Sequence, residues 1–389
     1  MPTTILPGNP LSQQNWRAGV TVEAERQCVL KLFEGEESDD GFVCEDFQEN
    51  QGRGDILNIR FSQPNQTDIP KTSVQNIIGQ EAGTSYINTT LQLRYQLLDG
   101  AVPNVPAEQN QVAFSLQRNE VGRVARQWAE HWERSGLRHL MGYNGVIPSG
   151  IPGAGTNVNN FTDYVFSLGN PVLAPDTNKW FLVPAAGSAI GSQSATETAV
   201  AGATSALLST RTIDEVVKRW TSKDYCSWPL APMNTPWGKK FVLLAGPQGF
   251  QQIKLNSSAT DFYDLSRAAI QGSEGYDSNP LVSGQGFIYG DTVVLKTDFG
   301  TPGIVNASPG SPSGTGSAQA NCKRAVLLGQ RSGMCGYGLG FTGGDHFGFK
   351  EFWIFRRWSF IVDTIVGFTR TVVNGETFGC GIISHYSDV

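Results

Sequence analysis

Charge is the first scarcity. Only 16% of the 389 residues are Asp, Glu, Lys or Arg, against about 25% in an average soluble domain. So thin a charge suits a protein that buries much of itself against neighbours, and it equally suits a neutral, loop-rich β protein. The net charge is −6 and the pI about 5.3. No basic stripe is present, which argues against reading nucleic acid by sequence. Long apolar runs are missing too. The longest, Phe360 to Phe368, is broken by Asp363 and Thr364, well short of the ~20 residues that a membrane span needs. The start, MPTTILPGNPLSQQNW, lacks the basic and apolar regions of a secretory signal. The expectation is therefore cytosolic synthesis, a soluble product and no membrane partner.

Catalytic signatures are equally scarce. The six cysteines, at 28, 44, 226, 322, 335 and 380, form no C-x-x-C, and no Cys/His set has zinc spacing. Free buried thiols are expected. The four histidines, 131, 139, 346 and 385, include no H-E-x-x-H and read as surface residues. No G-x-S-x-G elbow exists. In CKRAVLLGQRSGMCGYGLG, residues 322–340, the alternating Gly336, Gly338 and Gly340 resemble a phosphate loop. However, no helix start and no Lys-Ser/Thr pair follow, so nucleotide chemistry lacks its cation. Cys335 as nucleophile would need His346 as its base. No catalytic residue, cofactor or metal is expected.

What is present is a mixed set of elements. Residues 1–50 read as an irregular arm, and the acidic cluster Glu34 to Glu49 within it as a solvated or partner-facing segment. ILNIRF (56–61) and TSYINTTLQLRYQLL (84–98) alternate with period 2, as strands do. They flank a polar excursion, which makes an extended hairpin. Arg53-Gly54-Asp55 reads as the turn that leads into it. From Arg118 to Gly136 a helix is expected. Val121, Val124, Ala125, Trp128 and Trp132 share its inner face, and Gly136 sits where a C-cap would. Segment 144–209 carries only four charges, Asp163, Asp176, Lys179 and Glu197. Thr212 and Glu215 form a capping box before a helix to Trp220. KKFVLLAGP (239–247) and FIYGDTVVLKT (287–297) read as strands, 259–272 as a helix and 302–320 as a flexible loop. Asn374-Gly375 marks a C-terminal hairpin. Without βαβ alternation the class is α+β.

Three stretches in order carry a resemblance: GRGDILNIRF…IIGQEAGTSYINTTLQLRYQ (52–96), the Trp-rich helix 118–136, and CKRAVLLGQRSG through FGFKEFWIFRRWSFIVDTIVGFTRTVVNGETFGCGIIS (322–384). Together they resemble tailed-phage major capsid proteins of the group that includes the N-four-like podoviruses. The resemblance implies a Hong-Kong-97-like fold. It divides the chain into an N-terminal arm (1–50), an extended loop (51–98) lying over a neighbouring subunit, and a peripheral domain (99–230) with spine helix 118–136 and insertion 144–209. An axial domain (231–349) and a return to the peripheral domain as a β-hairpin (350–389) complete the map. The stretch 322–340 then becomes a hinge that leaves the axial domain through a Gly-rich turn.

The implied function is a shell subunit that assembles as hexamers and pentamers of an icosahedral head. The head encloses double-stranded DNA without sequence-specific binding. Implied partners are other copies, a portal protein, and scaffolding and decoration proteins. The implied location is the virion, after synthesis in the host bacterial cytoplasm. Candidate inter-subunit contacts are Arg53, Asp55, Arg60, Glu81, Tyr86, Arg94, Arg356 and Arg357. Two other readings stand beside this one: a secreted, β-rich glycan- or receptor-binding module, and an enzyme with a dispersed site.

Overall fold

The long helix expected at 118–136 forms, and it extends further. The computed structural model describes residues 28–35, 41–46, 56–63, 85–102, 116–143, 170–189, 191–256, 286–312, 316–338, 347–354, 357–373 and 375–388. Along them run a 3-10 turn Val29–Phe33, β1 Glu34–Gly35, β2 Phe42–Asp46, β3 Ile56–Gln63, β4 Ser85–Gln92, β5 Arg94–Val102 and α1 Leu116–Leu140. Next come β6 Trp180–Leu182, α2 Glu197–Gly202, α3 Thr210–Thr221, β7 Met233–Thr235, β8 Gly238–Ala245, α4 Pro247–Asn256, β9 Gly286–Tyr289 and β10 Thr292–Lys296. The last are β11 Thr301–Ile304, β12 Ala318–Leu328, β13 Gly333–Gly338, β14 Phe347–Ile354, β15 Arg357–Arg370, β16 Val372–Val373, β17 Glu376–Thr377 and β18 Cys380–Tyr386. The expected helix 259–272 lies outside the described residues.

Helix α1 buries the anticipated stripe. Val121, Val124, Ala125 and Trp128 pack on Val102, Phe349, Trp358, Phe360 and Val362. Gly136 does not cap it. A Cβ there would lie 2.5 Å from Leu30 Cδ1, so the glycine lets the 3-10 turn press against the helix. The helix ends at Gly142, whose φ is +61°. Its N–H donates to His139 O at 3.3 Å, and the Tyr143 N–H to Arg138 O at 3.0 Å. This pair of bonds is a Schellman closure.

A six-stranded sheet lies against α1, ordered β1-β2-β13-β15-β14, with β5 also paired to β15. Strand β2 arises inside the acidic cluster, of which 36–40 and 47–49 lie outside the described residues. Phe42 is fully buried and meets Phe368 edge-on at 5.4 Å. Glu34 accepts from Lys31 at 2.9 Å and from the Tyr337 hydroxyl at 2.8 Å. The irregular-arm reading of 1–50 thus fails for the described part, 28–35 and 41–46. Strand β13 corrects a second expectation: GMCGYG is a buried strand rather than a flexible turn. Cβ atoms at Gly333 and Gly338 would meet Phe42 Cδ1 at 2.9 Å and Ile365 Cγ2 at 2.8 Å. These glycines serve close packing.

The second sheet has eight strands, ordered β6-β18-β12-β8-β10-β9, with β11 on β12 and β7 on β8. Pairs β8–β10 and β6–β18 are parallel. FVLLA in β8 and AVLL in β12 are continuous apolar runs because both faces of these strands are covered. On one face Leu243, Leu327 and Ile383 pack with Trp220, Val216 and Phe250. On the other, Val242, Leu244, Val326 and Leu328 join Trp132, Leu140, Tyr337 and Phe368. That second cluster fuses the two sheets.

Further departures have local causes. Helix α3 is capped by Ser209, which accepts from Thr212 N at 3.3 Å. Glu215 instead pairs with Arg219 at 2.9 Å, so 212–215 is not a capping box. β11, β12 and a Ser308–Ser311 bridge occupy much of the supposed loop 302–320. The C-terminal hairpin pairing is confined to β16 and β17, because the flanking β15 and β18 belong to different sheets; Asn374 of the expected turn lies outside the described residues. His139 and His385 are buried, not surface residues. Cys28, Cys226, Cys322 and Cys380 are free and buried. Cys335, by contrast, is disulfide-bonded, and in the β2–β13 register it stands opposite Cys44.

Two of the chain's passages between the sheets, 329–332 and 371–379, bond to each other. Gly329 N–H donates to Gly379 O at 2.8 Å and Thr371 N–H to Ser332 O at 3.2 Å. Ser332 N–H donates in turn to Gly41 O at 2.7 Å.

Candidate functional site

The surface best suited to function is built from a hairpin and one sheet face. β3 and β4 pair only with each other, over the register Ile56–Gln63 with Ser85–Gln92. An isolated two-stranded ribbon is marginal in water, so its order depends on what it touches. Its root is fixed. Asn170 Nδ2 donates to Gln92 O at 3.0 Å and to Phe368 O at 3.3 Å, and its Oδ1 accepts from Gln92 N at 2.9 Å. Gly367 allows this approach, because a Cβ there would run into Gln92 O.

Beyond the root, β5 turns a mixed face outward. Gln96 and Gly100 point in, Gln96 reaching His131 at 3.2 Å. Tyr95 and Leu97 are 50% and 51% exposed. The Tyr95 hydroxyl bonds to Asp363, a buried carboxylate on the neighbouring β15. Phe352 is exposed on β14, and Trp353 is 54% exposed at its end. Exposed aromatic and aliphatic groups gathered on one sheet mark an interaction surface.

The charged candidates are distributed differently. Arg53, Asp55, Glu81 and Arg356 lie outside the described residues. Arg60 and Tyr86 fall on the ribbon, opposite Asn88 and Ser62 in the register. Half-buried Arg94 stands opposite Val366 at one end of the β5–β15 ladder. Exposed Arg357 starts β15 near its other end. The structure therefore does not bring Arg94 and Arg357 together. Sequence reasoning favoured charges and missed Tyr95, Leu97, Phe352 and Trp353. The available signal was RYQLLDGAV, where Gln96 breaks the apolar order between two residues that face out.

Titratable groups elsewhere are tuned by burial. Burial pushes Cys28 up to about 12 and Cys380 up to about 11, so neither is a ready thiolate. Glu133 rises to about 7 through burial, with the Val29 N–H pulling the other way. One buried pair is complete. Arg324 Nε and Nη2 donate to Glu197 at 2.7 and 2.9 Å. Arg324 Nη1 donates to the Met141 and Gly142 carbonyls at 3.0 and 2.9 Å, and Glu197 also accepts from Ser384 Oγ at 2.6 Å. This network ties the end of α1 to β12, β18 and α2. Among the described residues no group of three or more His, Cys, Asp or Glu could hold a metal. No described helix is long and apolar enough to cross a membrane.

A family model described as phage capsid protein matches residues 72–388, well over half of the chain. The chain belongs to the phage capsid protein family. The capsid chain is also similar to solved shells. One is the capsid of Ralstonia phage GP4, at 17% identity and TM-score 0.72, over 100% of this chain and 99% of that one. Another is the capsid of cyanophage Pam1, at 16% identity and TM-score 0.59, over 91% of each chain. A third is the head of Helicobacter pylori bacteriophage KHP40, at 11% identity and TM-score 0.56, over 92% and 90%. No curated protein matches. Two mixed sheets fused around a long helix are the α+β, Hong-Kong-97-like capsid fold, and the chain is a tailed-phage major capsid protein.

Proposed function

We propose that the subunit forms hexamers and pentamers through the β3–β4 ribbon and the Tyr95–Leu97–Phe352 face. The observation that carries this is the ribbon itself: eight-residue strands, rooted by Asn170, that join neither core sheet. In this reading the ribbon of one copy lies over the outer sheet face of the next. Standard interfaces bury about 1,600 Å² in total, and a shell subunit makes several. The six-stranded sheet with α1 is the peripheral domain and the eight-stranded sheet the axial domain. Residues 170–230 and 380–388 then belong to the axial side, unlike in the sequence-based map, and 333–338 to the peripheral side. Arg94 and Arg357 rim the face, while Arg60 and Tyr86 belong to the ribbon.

The shell encloses double-stranded DNA through its shape, and net charge −6 keeps the lining from gripping phosphates. The subunit does no catalysis. It is made in the bacterial cytoplasm and cooperates with portal, scaffolding and decoration proteins. Electron microscopy of bacterially expressed protein tests the reading. Full-length chain should give closed particles. Replacing 56–92 by a short Gly-Ser linker should leave a cooperatively folded subunit that forms none. A full-length chain that stays monomeric under assembly conditions, or a linker variant that still closes shells, would overturn it.

A further inference from the structure

A cavity of about 340 Å³ opens in the eight-stranded lobe, between residues 246–249, Gly300, Lys323 and His385. Residues 246–249 are the N-terminus of α4. Gly246 occupies the capping position and has no side chain to cap with, and Pro247 follows it. Phe250 N–H closes the first turn onto Gly246 O at 3.0 Å. The N–H groups of Gln248 and Gly249 therefore have no intrahelical acceptor, and the positive end of the helix dipole lies there. Glycines leave the wall bare. A Cβ at 246 would come within 3.2 Å of Gly300 Cα, and one at 249 within 2.9 Å of His385 Nε2.

Two side chains from neighbouring strands complete the wall. Lys323 and His385 stand opposite each other in the β12–β18 ladder. The Lys323 stem passes Gly300, and among the described residues its ammonium has no ion pair. His385 is 1% exposed. Its Nδ1 lies 2.9 Å from Tyr386 O. A carbonyl only accepts, so Nδ1 carries the proton and Nε2 keeps a lone pair. Burial, against the pull of the Tyr386 carbonyl, holds His385 down at about 4, which keeps it neutral near pH 7. Nε2 is buried and has no partner, a state that costs free energy unless a donor fills it.

The pocket thus offers N–H donors and an ammonium to an anion, and a lone pair to a hydroxyl. We propose that it binds a phosphate group that still carries a proton, with P–O⁻ oxygens on Lys323 and the α4 N–H groups and P–OH donating to His385 Nε2. Inorganic hydrogen phosphate and a terminal phosphomonoester both fit. An internal phosphodiester and sulfate do not, since neither has an O–H at neutral pH.

Calorimetric titration of the full-length protein tests the assignment, using inorganic phosphate, sulfate at matched ionic strength, and a short oligonucleotide with or without a 5′-phosphate. Phosphate, or the 5′-phosphorylated oligonucleotide, should bind at least tenfold more tightly than its control. Whichever of the two binds identifies the source. Lys323→Gln should weaken that binding about tenfold. His385→Asn should erase the preference for phosphate over sulfate. Lys323→Gln lies at a half-buried site and keeps the test valid should His385→Asn misfold. Equal binding of phosphate and sulfate, no binding of either phosphate, or a Lys323→Gln variant that binds like the parent would overturn the proposal.

Discussion

The eight-stranded sheet has apolar side chains on both faces, from Leu327 with Trp220 on one side to Val326 with Phe368 on the other. The six-stranded sheet has its core on the α1 side and leaves Tyr95 and Leu97 half exposed on the other. The first region is covered on both faces, one of them by α1, β13 and β15 of the second, whereas the second leaves its far face open. On the proposed assembly, the face shared by the lobes closes within one chain and the open face is left for a neighbour.

The largest effect should come from cutting the network that the eight-stranded lobe shares with the end of α1. Glu197→Ala strands Arg324 at zero exposure and should cost about 3–5 kcal/mol, read by urea denaturation of unassembled subunits. A stability change under 1 kcal/mol would mean that the pair does not hold the lobes together. Gly379→Ala comes next. Its Cβ would press on Gln330 O and Ser332 N, backbone atoms that have little room to yield, at about 1–3 kcal/mol. A variant that melts with the parent would show the two crossings to be slack.

A third test separates the lobes by pH. Glu133 on α1 titrates near 7 in the folded chain, above its ordinary 4.5. The folded state holds the extra proton, so stability from this group is present below about 4.5 and is lost as pH rises through 7. His385 titrates near 4, below its ordinary 6.5. Its contribution is present above 6.5 and is lost as pH falls through 4. Stability profiles of Glu133→Gln and His385→Asn should therefore flatten opposite slopes, and two variants that flatten the same limb would contradict the assignment. The smallest effect on the isolated subunit belongs to the open face. Leu97→Ser should leave subunit stability within about 0.5 kcal/mol while particle yield collapses. Normal particles from that variant would remove this face from the interface.

Elements were legible in the sequence where one residue type repeats with one period. The α1 stripe and the alternation of 56–61 and 84–98 needed no knowledge of neighbours. Their partners were not legible. Gly136 and Gly142 are equally good helix terminators by local rules, and only the approach of Leu30 makes the first a packing glycine. CKRAVLLGQRSGMCGYG reads as one strand running into a loose turn, yet it spans two sheets. Which sheet takes β13 depends on Phe42, almost three hundred positions earlier. The proposed contact face was missed for a related reason. Exposure of Tyr95 and Leu97 is set by Gln96 turning in toward His131, a pairing made across elements. Buried Lys179, bonded to Thr377 O at 2.7 Å and to Phe378 O, shows the same limit: the one cation of a low-charge segment, placed by carbonyls about two hundred residues away.

The two cross-bonded passages between the sheets have a mechanical consequence. A single connecting strand would let one lobe swing against the other. Two passages that hydrogen-bond side by side, with Gly379 pressed on Gln330 and Ser332 fixed to Gly41, resist both bending and twist. The two lobes are thereby coupled as one body at this point. On the proposed assembly, a change in curvature between hexameric and pentameric surroundings falls on the ribbon and its root at Asn170.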